Sequence, residues 1–96
     1  MSEYDKSMAV VHRATGDRLL LFCPGCKSAH QVSVAQGGWT WNGDYQRPTI
    51  QPSILVRGAD ESGETRCHSF VAAGKIQFLS DCTHPLKDQT IALEPF

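Results

Sequence analysis

The four cysteines are the residues of this chain with the most specific chemistry, and two of them lie in the sequence Cys-Pro-Gly-Cys at positions 23–26. In such a turn the proline fixes φ and the glycine permits a positive φ, so that backbone N–H groups point at a thiolate sulfur. Zinc in a closed structural site takes four nitrogen or sulfur ligands, and two cysteines at this spacing fit one edge of the tetrahedron. The turn therefore predicts half of a zinc site.

A redox pair or a disulfide fits these cysteines less well. A redox role needs Cys23 at the N-terminus of a helix, whose dipole lowers the pKa of the thiol, but the residues after Cys26, KSAHQVSV, are typical of a strand. The N-terminal residues MSEYDKSMAVVHRATGD contain no signal peptide and no membrane span, which predicts a cytoplasmic protein without membrane contact. Cysteines in a reducing compartment favour metal binding over disulfides.

Cys67 and Cys82 are the natural source of the second half of the site. If Ala73–Gly74 form a two-residue turn, Cys67 and Cys82 become diagonal neighbours on one face of a hairpin. A three-residue turn would shift the register by one and send them to opposite faces. The predicted cofactor is Zn²⁺, and its predicted ligands are Cys23, Cys26, Cys67 and Cys82, with His84, His68 and His30 as alternates.

The composition indicates one small folded domain. The chain has 96 residues, of which 41% are hydrophobic and 20% charged, and its formal net charge is −1. These values predict a single domain over residues 1–96, and residues 1–7 are expected to be frayed. The net charge shows no basic excess of the kind that most nucleic-acid-binding proteins have. A hydrophobic core of this size gains stability from an additional link such as a bound metal ion. Zinc ligation contributes about 10–16 kcal/mol of apparent folding free energy in small peptides.

Short runs of Val, Ile, Leu and Phe between frequent turn signals predict a mostly β fold. No window has a convincing 3.6-residue period, so little helix is expected beyond a short helical turn near residues 85–88. The predicted architecture is a small antiparallel, zinc-ribbon-like sheet stapled by one structural zinc. Its predicted strands are Ala9–Arg13, Arg18–Cys23, His30–Val34, Trp39–Trp41, Ile54–Arg57, Cys67–Val71, Lys75–Leu79 and Thr90–Leu93.

The segments CPGC, WTWNG, RPTIQPSI, CHSFV, GKIQFLSDCTH and QTIALEPF, together with His30, resemble a family of small uncharacterised zinc-binding proteins from bacteriophages and prophage-bearing bacteria. Its members often carry names such as ammonia monooxygenase or anaerobic dehydrogenase, which nothing in this sequence supports. The resemblance implies a phage origin, a location in the host cytoplasm and the four cysteines as ligands. It also marks a pattern around them, formed by Trp41, Asn42, Pro48, Thr49, Pro52, Ser53, His68, Asp81 and His84.

These observations favour a non-enzymatic binding module that acts on a host or phage protein, with no catalytic residue. The expected binding surface comprises Trp39, Trp41, Asn42, Arg47 and Thr49, because aromatic rings give a large contact area at low entropic cost. One alternative is a nucleic-acid-binding zinc protein. Another is a zinc-dependent hydrolase that uses His68, Asp81 and His84. The oligomeric state and the partner's identity do not follow from the sequence.

Overall fold

The computed structural model describes residues 7–96, and the regular structure within them consists of eight β-strands. Residues 1–6, most of the segment predicted to fray, lie outside the described residues. The strands are β1 (Val11–Ala14), β2 (Arg18–Cys23), β3 (Ser28–Ser33), β4 (Thr40–Trp41), β5 (Ile50–Asp60), β6 (Gly63–Ala72), β7 (Lys75–Phe78) and β8 (Thr90–Ala92).

The strands form two antiparallel sheets, one with the order β1-β2-β3 and one with the order β4-β5-β6-β7-β8. Residues 7–96 contain no helix, so none there is long and apolar enough to cross a membrane. The prediction of a mostly β, antiparallel fold is confirmed. The expected helical turn near residues 85–88 is absent; those residues form turns instead.

The β6–β7 hairpin has the register that a two-residue turn predicts. Val71 pairs with Ile76 and Ser69 pairs with Phe78. The two turn residues, Ala73 and Gly74, both have positive φ, at 52° and 82°. This combination gives the twist that a tight hairpin needs, and it fixes which side chains of β6 face inward.

One hydrophobic core joins the two sheets. Leu19 and Leu21 of β2 are fully buried, and they belong to the same cluster as Ile50, Ile76 and Phe78 of the larger sheet. Because side chains alternate along a strand, each strand of the larger sheet has an inner face toward this core and an outer face toward solvent.

The alternation sorts the chemically active residues of β6 onto two sides. Cys67 and Val71 point inward and are 2% and 1% exposed. His68 and Phe70 point to the outer face, where Phe70 is 44% exposed. Two consecutive residues, Cys67 and His68, therefore serve different sides of the sheet.

Candidate active site and cysteine cluster

A serine, a histidine and an aspartate form a hydrogen-bonded chain on the outer face of the larger sheet. Nε2 of His68 lies 3.0 Å from Oγ of Ser53, and Nδ1 of His68 lies 3.2 Å from Oδ2 of Asp81. An ionised carboxylate only accepts hydrogen bonds, so Nδ1 carries the proton and Nε2 accepts from the serine hydroxyl. This is the arrangement of a nucleophile, its general base and the group that orients the base.

Ser53 sits at an irregularity in β5. Ile50 pairs with Val71 and Ile54 pairs with Ser69, so that three residues of β5 lie opposite one residue of β6. Pro52, which has no N–H to donate to a ladder, occupies this bulge. Bulges re-aim side chains beside active sites. The backbone of Ser53 is held by the indole of Trp39, whose Nε1 donates to the Ser53 carbonyl oxygen at 3.2 Å.

The segment after β7 brings Asp81 to His68. The amide of Leu79 donates to the carbonyl oxygen of His68, and the amide of Thr83 donates to that of Arg66, both at 2.9 Å. Between these bonds the Cys82 thiol accepts from the His68 amide and donates to the His68 carbonyl oxygen, both at 3.2 Å. Cys82 thus fills a gap in the ladder, and Asp81 projects beside the imidazole.

Arg66 adds positive charge next to this carboxylate. Its Nη1 lies 3.9 Å from Oδ2 of Asp81, and its Nη2 lies 3.8 Å from Oε2 of Glu64. The side chains of His68 and Asp81 are 26% and 37% exposed, which leaves the imidazole open to solvent on one side. A substrate can therefore reach the serine from the outer face.

A cysteine and histidine cluster lies on the inner side of the same strand. The ligand atoms of Cys23, Cys26, His30 and Cys67 all lie within 4.8 Å of one another, so this group could hold a metal ion. The Cys23 and Cys67 sulfurs are 3.8 Å apart, and the Cys26 amide donates to the Cys23 sulfur at 3.3 Å. The described cysteines form no disulfide.

Hydrogen bonds within this cluster favour a thiolate on Cys23. The hydrogen bond from Cys67, helped by His30 and the Cys26 amide, lowers the pKa of Cys23 to about 4. The same shared proton, together with burial, raises the pKa of Cys67. Burial and the nearby charge of Cys23 raise the pKa of Cys26. One thiolate is thus already present for a cation, and thiolates are the form that binds metals.

A second group overlaps the first at Cys67 and consists of Cys67, Cys82 and His84. A Cβ on Gly25 would collide with the His84 ring, so this close approach requires glycine. The prediction of a positive φ at Gly25 is wrong, because the residue of this turn with left-handed backbone is Lys27, at φ 57°. Nε2 of His84 and Nε2 of His30 are buried without hydrogen-bond partners, which suits a role beside a metal ion.

The five residues of the expected binding surface lie around the loop between β4 and β5. Trp39 and Trp41 pack partly against the core. The Asn42 side chain accepts from the Thr49 amide at 3.1 Å and donates to the Arg47 carbonyl oxygen at 3.2 Å, which orders the loop. The Thr49 hydroxyl accepts from the amide of Ala73, tying the loop to the β6–β7 turn. Binding by this surface stays a prediction.

Sequence reasoning missed Ser53 as a nucleophile. It placed His68 and Asp81 in a hydrolase alternative that relied on zinc and His84, whereas the structure joins those two residues to Ser53 and leaves His84 beside the cysteines. No local signal relates the three residues, because Ser53 directly precedes one predicted strand, His68 lies in another and Asp81 follows a third. Only the folded chain brings them together.

Comparison with known proteins supplies a family for this arrangement. No curated protein and no solved structure matches the chain. A family model described as "Bacterial ubiquitination-like system serine protease (BubE)" matches residues 1–79. Ser53 and His68 lie within the matched range, and Asp81 lies just beyond it.

This match corrects the functional expectation drawn from the sequence. The prediction of a non-enzymatic binding module is wrong, because the family is one of serine proteases. The structure also places a serine and an aspartate within hydrogen-bonding distance of one histidine on an open face. The resemblance to an uncharacterised zinc-binding family gave no activity, and the phage origin it implied stays a prediction. Since the match covers most of the chain, the chain belongs to the BubE family, the serine proteases of a bacterial ubiquitination-like system.

Proposed function

We propose that this protein is a serine peptidase in which Ser53 is the nucleophile, His68 the general base and Asp81 the group that orients the base. The observation that carries the proposal is the pair of contacts made by the His68 ring, 3.0 Å to the Ser53 hydroxyl and 3.2 Å to the Asp81 carboxylate. The family description, serine protease, names the same chemistry.

In the proposed reaction, Oγ of Ser53 attacks the carbonyl carbon of the scissile bond while Nε2 of His68 takes the hydroxyl proton. Asp81 accepts the Nδ1–H hydrogen bond, which keeps the imidazole in the correct tautomer and stabilises the imidazolium. His68 then gives its proton to the leaving amine, and an acyl-enzyme ester forms on Ser53. His68 next activates a water that hydrolyses the ester and regenerates the serine.

The proposed substrate is a peptide or isopeptide bond formed by a ubiquitin-like protein, because the family belongs to a ubiquitination-like system. Both bonds present the same acyl group to the nucleophile and differ only in the amine that leaves. A site that is open on one side suits either leaving amine, since His68 retains exposed surface toward solvent. The ubiquitin-like protein would then be the protein partner.

The test uses a fluorophosphonate probe, which reacts covalently with activated serines. We expect labelling of the wild-type protein at Ser53, and Ser53→Ala to lose it together with about a millionfold of hydrolytic activity. Ser33→Ala, which removes an exposed serine of β3, is the matched control and should label normally. Labelling that persists in Ser53→Ala would refute the proposal.

We further propose that the metal is one zinc ion, held by Cys23, Cys26, Cys67 and His30. Two thiolates bound to zinc at about 2.3 Å in a tetrahedron lie about 3.8 Å apart, and the Cys23 and Cys67 sulfurs are 3.8 Å apart. The unpartnered Nε2 of His30 offers a fourth ligand atom. Cys82 is the alternative fourth ligand, but its thiol already bonds the His68 backbone.

Metal analysis of the purified protein tests this assignment. We expect about one zinc per chain in the wild type, and a clear loss of zinc retention against a competing chelator in His30→Ala. Cys82→Ser should retain zinc as the wild type does. Loss of zinc from Cys82→Ser with full retention in His30→Ala would assign the fourth position to Cys82 instead.

A further inference from the structure

Two large apolar side chains flank the proposed nucleophile on the outer face. Leu55 pairs directly with His68 across β5 and β6, and it follows Ser53 by two residues on the same face. Phe70 follows His68 by two residues, also on that face. Leu55 and Phe70 are 45% and 44% exposed, so nearly half of each side chain is open to a ligand.

The remaining exposed large apolar residues of the described chain lie elsewhere. Phe22 and Phe96 contact each other at 6.1 Å between ring centroids, and Met8 lies near the beginning of the described residues. Single exposed apolar residues need no special explanation. The Leu55 and Phe70 pair differs because it borders the hydroxyl that would attack a substrate.

Farther along the same face lie two arginines directly opposite each other. Arg57 pairs with Arg66, and like charges in this position repel. Arg66 lies near the carboxylates of Glu64 and Asp81, whereas Arg57 is exposed and has no ion pair among residues 7–96. Nε of Arg66 is buried without a partner. The two guanidinium groups therefore offer a place for a carboxylate.

The spacing along β5 relates these two features to the nucleophile. Ser53, Leu55 and Arg57 follow one another on one face, and a strand rises about 3.3 Å per residue. Leu55 therefore lies about 7 Å from Ser53, and Arg57 about 13 Å. An extended polypeptide laid along this strip would bring one side chain to each position.

We propose, building on the proposed function, that Leu55 and Phe70 form an apolar subsite and that Arg57 with Arg66 forms an anion subsite for one extended substrate chain. Favoured substrates carry a large apolar residue within about two residues of the cleaved bond. They carry an acidic residue about four residues from that bond, on the same side. Shape and contact area select the first residue, and charge selects the second.

The experiment digests a peptide library prepared from a bacterial proteome with the full chain and identifies the cleavage sites by mass spectrometry. We expect enrichment of Leu, Phe or Met next to the cleaved bond and of Asp or Glu farther along one side. Phe70→Ala should lose the apolar preference and lower kcat/KM for such peptides roughly 10-fold to 100-fold. Phe22→Ala, which removes an equally exposed aromatic ring, is the matched control.

The anion subsite has its own variant. Arg57→Glu should reverse the charge preference at the distal position, so that Lys or Arg replaces Asp or Glu among the cleaved peptides. This effect should weaken at high salt, because exposed charges are screened. Arg18→Glu, which reverses a charge on β2 in the other sheet, should leave the preference unchanged.

The readouts separate failure of this inference from failure of the proposed function. Fluorophosphonate labelling of Ser53 together with a cleavage profile that Phe70→Ala and Arg57→Glu leave unchanged would overturn the subsites alone. Labelling of Ser53 without cleavage of any library peptide would overturn them too, because the strip would then not bind an extended chain. Absence of labelling at Ser53 would overturn the proposed function, and the subsites with it.

Discussion

The two sides of β6 carry different chemistry on consecutive residues. On the inner side, Cys67 is 2% exposed and lies 3.8 Å from the sulfur of Cys23 in the other sheet. On the outer side, His68 lies within hydrogen-bonding distance of Ser53 and Asp81, and it stays partly open to solvent. The inner residue joins two sheets, and the outer residue is placed to react.

The same division recurs in the segment after β7. Asp81 lies on the outer side with His68, while the next residue, Cys82, is 5% exposed and belongs to a group with Cys67 and His84. Two short stretches of chain, residues 67–68 and 81–82, therefore each contribute one residue to each side. A change on the inner side should reach the outer side through the backbone, whereas a change on the outer side should stay local.

Metal removal should have the largest effect, because it loosens both sides together. Chelation, or Cys23→Ala, should lower the free energy of unfolding by up to about 10 kcal/mol and abolish fluorophosphonate labelling of Ser53. Thermal unfolding and labelling, followed in parallel, check this. Ser53→Ala is the contrasting variant, expected to keep wild-type stability. Full labelling of a metal-free protein would break the proposed link between the two sides.

The pH dependence of metal binding has a defined sign. In the metal-free protein burial raises the pKa of Cys26, and the proton shared with Cys23 raises the pKa of Cys67. Both thiols must lose their protons to bind a metal. Zinc affinity should therefore rise with pH across the neutral range and fall on acidification, which competition with a chelator at several pH values would measure.

Asp81→Asn should have the next largest effect, confined to the outer side. The amide can donate toward Nδ1 of His68 and so favour the wrong tautomer, which costs about 10⁴-fold in kcat in a comparable triad. Stability and zinc content should stay close to wild type. Asp17→Asn, which changes an exposed aspartate between β1 and β2, is the matched control. A parallel loss of zinc would mean that the two sides are not separable here.

Features that depend on neighbouring residues could be predicted from the sequence, whereas features that depend on pairing between distant strands could not. The β6–β7 register was predictable, because a two-residue turn at Ala73–Gly74 fixes every pair that follows it. The cysteine turn at residues 23–26 was likewise a local signal for a metal cluster. Ser53 was not predictable as a nucleophile, because the bulge between Ile50 and Ile54 depends on pairing with a strand that comes later in the chain.

The presence of His30, and not Cys82, in the group with Cys23, Cys26 and Cys67 has the same cause. Cys82 follows β7 closely, and a regular hairpin would carry its side chain toward Cys67. The strand pairing of β7 instead ends at Phe78, and the turn that follows brings the Cys82 sulfur to the backbone of His68. His30 comes from β3 in the other sheet, whose position depends on the shared core and not on any local pattern.

Cys82→Ala should have the smallest effect, yet it tests most directly whether the two sides of β6 are linked. It removes the thiol that bonds the His68 amide and carbonyl oxygen, so the amide is left without its partner, at a cost of about 1–3 kcal/mol in the free energy of unfolding. Because that backbone carries the imidazole, kcat should fall roughly 10-fold while KM changes little, as expected for a residue that positions the base. Cys82→Ser, whose hydroxyl can make the same two bonds, should recover part of kcat. Zinc content decides the remaining question: retention in both variants means that Cys82 acts on His68 alone, whereas its loss would make Cys82 a ligand and join the two sides of β6 through one sulfur.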